Sequence, residues 1–282
     1  MGIQCGCSRY LDPETFIKEV LSSTCLINLT TADLNQILLL RIGSINDSEK
    51  NRTISKETYT EIAQDIYDKK YFKNKKDFSP IKGNDMFIDI TNQFILKLYP
   101  LFDINNSNNC SLFKLLMCPF VLKVSDAFDK KTTHLYKCLK YVNFRGSDKD
   151  KISIDDDIEY SIFCENFLTY LAMILSGFTK IIRETLHENN SDELMRNEMD
   201  DNLNRIFQAD IIKEYYSYLT KELIGRIVSD DKNSNIESYK VTVDDFRFLC
   251  KEHEQVVNYF QLREDYIKFA KKKLNSLTLT DN

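Results

Sequence analysis

The chain has 282 residues, 43% hydrophobic and 29% charged, which is the balance of a globular protein long enough to bury a core. Its formal charge of −5 gives no electrostatic case for nucleic acid as a main partner, and 7 Gly and 4 Pro are too few for a turn-dense all-β protein. Three His, and eight Cys without the paired spacings of a zinc site, leave catalytic and metal clusters poorly supplied.

The first nine residues, MGIQCGCSR, lack the charged-then-apolar order of a secretory leader. They read as an acylation signal: loss of Met1, myristoylation of Gly2 and palmitoylation of Cys5 and Cys7, although Gly6 stands where the usual pattern has Ser or Thr. One myristoyl chain binds a bilayer only marginally, so the cysteines would supply the second anchor. The expected leader, 1–13, attaches the protein peripherally to the cytoplasmic face of a membrane. No apolar run reaches the roughly 18–20 residues of a membrane span, the nearest being 170–178.

Apolar periodicity predicts helices over Glu14–Ile37, Ser161–His187, Asn202–Val228 and Gln255–Leu277, hence an all-α protein. Between them a pattern recurs four times: a polar, turn-prone stretch, an apolar residue, then Ser or Thr and helical residues. The apolar residues are Ile54, Cys110, Ile152 and Val241, at the position (8 of an EF-hand loop) where the two loops of a pair exchange a short β-bridge, and each is followed by a potential helix cap at Ser55, Ser111, Ser153 or Thr242.

The second of these stretches, Asp103 to Lys114, has the outline of an EF-hand loop, which places oxygens at positions 1, 3, 5, 7, 9 and 12 and turns sharply at position 6. Asp103, Asn105 and Ser107 fill positions 1, 3 and 5, and Asn108 takes the turn in a left-handed conformation. Position 12, normally a bidentate Glu, is Lys114, which has no acceptor with which to ligate a cation. In the first loop Asp47, Glu49 and Asn51 occupy positions 1, 3 and 5, with Thr58 at 12. The third loop, aligned on Ile152, has Arg145 at 1 and Asp156 at 12; the fourth has Ser234 at 1, Ile236 at 3 and Asp245 at 12. No loop has a full ligand set, so calcium binding is expected to be weak or lost, with no other cofactor. Two pairs, Asp103 with Lys114 and Arg145 with Asp156, can close their loops by internal salt bridges; the alternative leaves both cations in water.

With these loops in place the chain resembles the neuronal calcium sensor family, the recoverin-like EF-hand proteins, and more distantly calcineurin B and calaxin. The likeness rests on 131–156 as a third hand with Tyr141 and Phe144 leading into its loop, on 219–262 as a fourth hand and tail helix, and on 29–39 as the opening helix of the first. It implies an N-terminal lobe over 14–130, a C-terminal lobe over 131–265 with an insertion at 186–210, and a helical tail over 266–282. A further polar insertion covers Lys69–Asp85.

In such a lobe an apolar groove takes an amphipathic helix from a target protein. Candidate groove residues are Phe94, Leu98, Phe102, Leu115, Leu116 and Phe120 around the second hand, and Ile162, Phe163 and Phe167 after the third. The tail can either dock in the protein's own groove or serve as a plain structural helix, and Lys271–Lys273 can either touch anionic lipid or remain solvated. No phosphate loop, nucleophile motif or histidine cluster points to an enzyme. The expectation is a non-enzymatic, membrane-anchored adaptor. The alternatives are a calcium sensor regulating a phosphatase or kinase, and a structural component of a cytoskeletal or ciliary assembly.

Overall fold

A computed structural model describes residues 53–73, 97–103, 108–111, 114, 117, 127–140, 157–189, 193–230 and 236–280. Within these residues the protein is helical apart from four short strands. Strand β1 (Thr53–Ser55) leads directly into helix α1 (Lys56–Lys73), and β2 (Asn109–Ser111) follows the short helix α2 (Tyr99–Phe102). β1 and β2 pair antiparallel with Ile54 opposite Cys110, both buried.

The second strand pair repeats this plan. Helix α3 (Phe128–Leu139) precedes β3 (Ile158–Glu159), which opens helix α4 (Tyr160–Ala172). A π-helical turn (Met173–Gly177) carries α4 into α5 (Phe178–Asn189). Helices α6 (Glu193–Ile206) and α7 (Ala209–Asp230) follow, then β4 (Lys240–Val241), which opens α8 (Val243–Glu252), and finally α9 (Tyr259–Thr280). β3 pairs antiparallel with β4, Ile158 opposite Val241. Around this ladder α3 packs on α8 and α4 on α7, so the first helix of each helix–strand–helix unit meets the second helix of the other.

The core grows from one face of α4–α5. Phe163, Phe167, Tyr170, Leu171, Ile174, Leu175 and Phe178 recur at helical spacing and are fully buried. Their rings meet α7 through Tyr216, α8 through Phe246 and α9 through Tyr259, with centroids 5.3–6.3 Å apart. Burying an aromatic side chain of this size contributes about 1.5–3 kcal/mol. Residues 160–181 are long and apolar enough, at a mean hydropathy of 1.3, to pass for a membrane span, but 56% of that window is buried inside the protein. Packing of the apolar face against three other helices accounts for the composition.

Two expected helices are interrupted. The run Asn202–Val228 breaks at Phe207 and Gln208, where Phe207 packs tilted against Tyr266, ring centroids 5.2 Å apart, and lies under the Arg263 guanidinium at 4.8 Å. The Tyr266 hydroxyl also donates to the Ile206 carbonyl at 2.7 Å, taking an acceptor that a continuous helix would have used. The run Gln255–Leu277 is divided by Asn258, whose Oδ1 accepts from the Phe260 N–H at 3.2 Å and starts α9. The tail boundary expected at 265/266 therefore falls inside one helix. The insertion expected at 186–210 contains α6, tied to α5 through Arg183 with Asn204 and Asp200.

Arg263 is 2% exposed, donates to the Thr179 hydroxyl, and that hydroxyl donates to the Leu175 carbonyl within the π turn. A π turn leaves helix carbonyls without their regular partners, and this relay satisfies one of them from α9.

Candidate functional site

The strand pair β1–β2 sets the geometry of the second loop. Asn108, just before β2, has φ 59°, the left-handed conformation that a sharp turn needs and that Asn tolerates better than most residues. Its N–H donates to Asp103 Oδ2 at 2.8 Å, so the residues expected at loop positions 1 and 6 are bound to each other. Its carbonyl accepts from the Lys56 N–H at 3.1 Å and extends the ladder toward the start of α1.

Asp103 is 6% exposed and Lys114, at position 12, only 2%. Both act on the enclosed Cys110 thiol. Burial, then the Asp103 charge, pushes it up to about 12, while Lys114 pulls the other way. Burial also draws the Lys114 amine down to about 8, opposed by Cys110. Tyr99 is pushed up to about 12, again by burial first and Asp103 second. The position expected to carry a calcium loop's strongest anionic ligand thus holds a buried amine, which has no acceptor to offer a cation. Among the described residues no group of three or more His, Cys, Asp or Glu can hold a metal ion.

The second strand pair corrects the register of the third loop. Val241 was expected to bridge to Ile152, yet its partner is Ile158, six residues later. The Tyr136 hydroxyl fixes this choice from inside, donating to the Val241 carbonyl at 2.6 Å and accepting from the Ile158 N–H at 3.3 Å. The Asp155–Asp157 run therefore precedes the bridge, Asp156 no longer stands at position 12, and Glu159 replaces Ser153 as the residue that starts the outgoing helix. Glu159 makes no side-chain cap.

In the fourth loop Asp245, at position 12, is a carboxylate, but its oxygens already have protein donors. Oδ2 accepts from the Thr242 N–H at 2.9 Å, the Thr242 hydroxyl at 2.7 Å and the Tyr239 hydroxyl at 2.9 Å. Oδ1 lies 3.8 Å from Arg226 Nε. Thr242 in turn accepts from the Asp245 N–H, closing a capping box at the start of α8. Arg226 is further oriented by the Asp244 carbonyl at 3.2 Å and by the Phe248 ring at 4.8 Å. A guanidinium thus stands beside the carboxylate that a metal would have needed. Sequence reasoning missed Arg226 because it lies on α7 with Asp230 and Asp231 nearer in the chain, and nothing local points it at Asp245.

Ser55 caps α1 as expected, accepting from the Thr58 N–H at 3.2 Å. Leu98, Phe163 and Phe167 are fully enclosed core residues and Ile162 is half-buried against the same core, so the latter three build the scaffold between α4, α7 and α8 instead of an open groove. Tyr259, Leu262, Tyr266 and Ala270 of α9 are completely buried, which places the tail helix inside the core. Lys271 and Lys272 are exposed, whereas Lys273 pairs with Glu214 of α7 at 2.9 Å. Phe102 lies in α2. Gly2, Cys5, Cys7, Asp47, Glu49, Asn51, Phe94, Asn105, Ser107, Leu115, Leu116, Phe120, Arg145, Ile152 and Asp156 lie outside the described residues.

Comparison with protein-family models, with curated proteins and with solved structures gives no match.

Proposed function

We propose that the protein is a non-enzymatic adaptor built on two EF-hand-like pairs, one around Ile54–Cys110 and one around Ile158–Val241, with calcium dispensed with and the chain held to a membrane through Gly2, Cys5 and Cys7. The observation that supports this reading is the left-handed Asn108, whose N–H donates to the buried Asp103, together with a buried Lys114 at the position expected to be the twelfth. The crosswise packing of α3 on α8 and α4 on α7 around a two-stranded ladder supports the same architecture.

Such a scaffold does not switch on calcium. A buried Lys114 stands at the position expected to be the twelfth of the second loop, and Arg226 stands beside Asp245 in the fourth. Helix α9 is itself part of the core through Tyr259, Leu262, Tyr266 and Ala270, so a partner helix binds on another surface or displaces α9.

Calorimetry on the full chain tests the metal-free part: no heat of binding up to millimolar calcium is expected, and a micromolar site would refute it. Membrane fractionation of wild type against Gly2→Ala tests the anchor, with release of the variant into the soluble fraction as the expected result.

A further inference from the structure

Helices α3, α7 and α8 border an open cleft of about 920 Å³. Three features of its walls bear on what the cleft can hold. Gly225 lies within the 22-residue helix α7, where Gly is about 1 kcal/mol less favourable than Ala, and among the described residues no atom lies within 4 Å of the place its Cβ would take. The missing side chain therefore relieves no crowding among the described residues. It keeps the cleft open to a close backbone approach from outside.

The second feature is a pair of guanidiniums held in fixed orientation at the walls. Arg226 is positioned by Asp245, the Asp244 carbonyl and the Phe248 ring, as described above. Arg247 is held by Asp244 Oδ1 at 2.9 Å and by the Thr133 hydroxyl of α3 at 2.8 Å. The third feature is uncommitted charge of both signs. Lys251 stands one turn beyond Arg247, Glu222 one turn before Arg226, and Asp129 one turn before Thr133. None of the three makes an ion pair among the described residues.

We propose that this cleft is a docking site for a polypeptide segment of mixed charge from a partner protein, its backbone passing over Gly225, an acidic side chain meeting Lys251 beside Arg247, and a basic one meeting Glu222 and Asp129. Oriented guanidiniums and fixed counter-charges set register and exclude wrong partners more than they add raw affinity. The proposal is independent of the EF-hand reading, since it needs neither metal nor acyl chain.

The test is selection of a displayed dodecapeptide library on the full-length protein, followed by calorimetry with the enriched peptides made synthetically. The expected winners carry both Glu or Asp and Lys or Arg. They bind at least ten-fold more weakly to Gly225→Leu, whose melting curve verifies folding, and to Lys251→Glu; exchanging the peptide's acidic residue for Lys restores binding to the latter. Absence of mixed-charge enrichment, or binding indifferent to both substitutions, overturns the proposal. Calcium titration of the same samples reports separately on the adaptor reading.

Discussion

The Asp245 carboxylate and the Arg226 guanidinium, 3.8 Å apart and on different helices, put a protein cation next to the last acidic position of the fourth loop. The pair is half-enclosed, with Asp245 buried and Arg226 partly exposed, and it has additional hydrogen bonds from Thr242 and Tyr239. An ion pair so supported is costly to break from one side, because the remaining partner keeps its desolvation without its compensation.

Asp245→Ala is accordingly expected to destabilise the protein by about 2–3 kcal/mol, since it removes a helix cap and leaves buried donors unpaired. Thr242→Ala removes one side of the capping box and should cost about 1 kcal/mol. Urea unfolding followed by circular dichroism measures both, and adding calcium should change neither value.

Lys114→Glu supplies the carboxylate that the second loop lacks. The wild type should show no heat of binding with calcium, while the variant should bind in the weak range, about 10⁻⁴–10⁻³ M, and gain thermal stability when calcium is added. A variant that folds and stays silent would mean that the loop geometry around Asp103 and Asn108 is not that of a metal seat.

Stability at alkaline pH should follow the groups around Cys110. The folded-state value of Lys114 lies below its unfolded value of 10.5, at about 8, so the folded state carries fewer protons between those limits and this group's contribution improves as pH rises from about 8 to 10.5. Cys110 and Tyr99 have the opposite sign: both are raised to about 12, so their contribution is lost as pH rises from about 9 or 10 toward 12. Lys114→Met is expected to be more stable than wild type at pH 7, with the advantage shrinking by pH 10.5. Parallel denaturant titrations of the two proteins at several pH values measure that difference.

Gly177 ends the π turn with its absent Cβ 3.0 Å from both Leu101 methyl carbons of α2. Gly177→Ala forces Leu101 to move and should cost about 1–2 kcal/mol despite the better helix propensity of Ala. Leu101→Ala should itself destabilise, yet the double variant should lose less than the sum. A double-mutant cycle on unfolding free energies reads that coupling and tests the contact between the two halves of the chain.

Local pattern alone determined much of this protein: helical periodicity over 161–187, the bridging residues Ile54, Cys110 and Val241, the left-handed turn at Asn108 and the caps at Ser55 and Thr242 all follow from residue type and spacing. The third loop was different, because among Ile152, Ile154 and Ile158 only Ile152 is followed by Ser and satisfies the pattern, yet the bridge forms at Ile158. Tertiary structure decided among them through the buried Tyr136 hydroxyl, which has one donor and one acceptor role to fill and reaches Ile158 and Val241 together. The break at Phe207, the burial of α9 and the meeting of Arg226 with Asp245 have the same origin. Each depends on groups distant in sequence whose polar atoms must find partners once the core excludes water, and that requirement exists only in the folded chain.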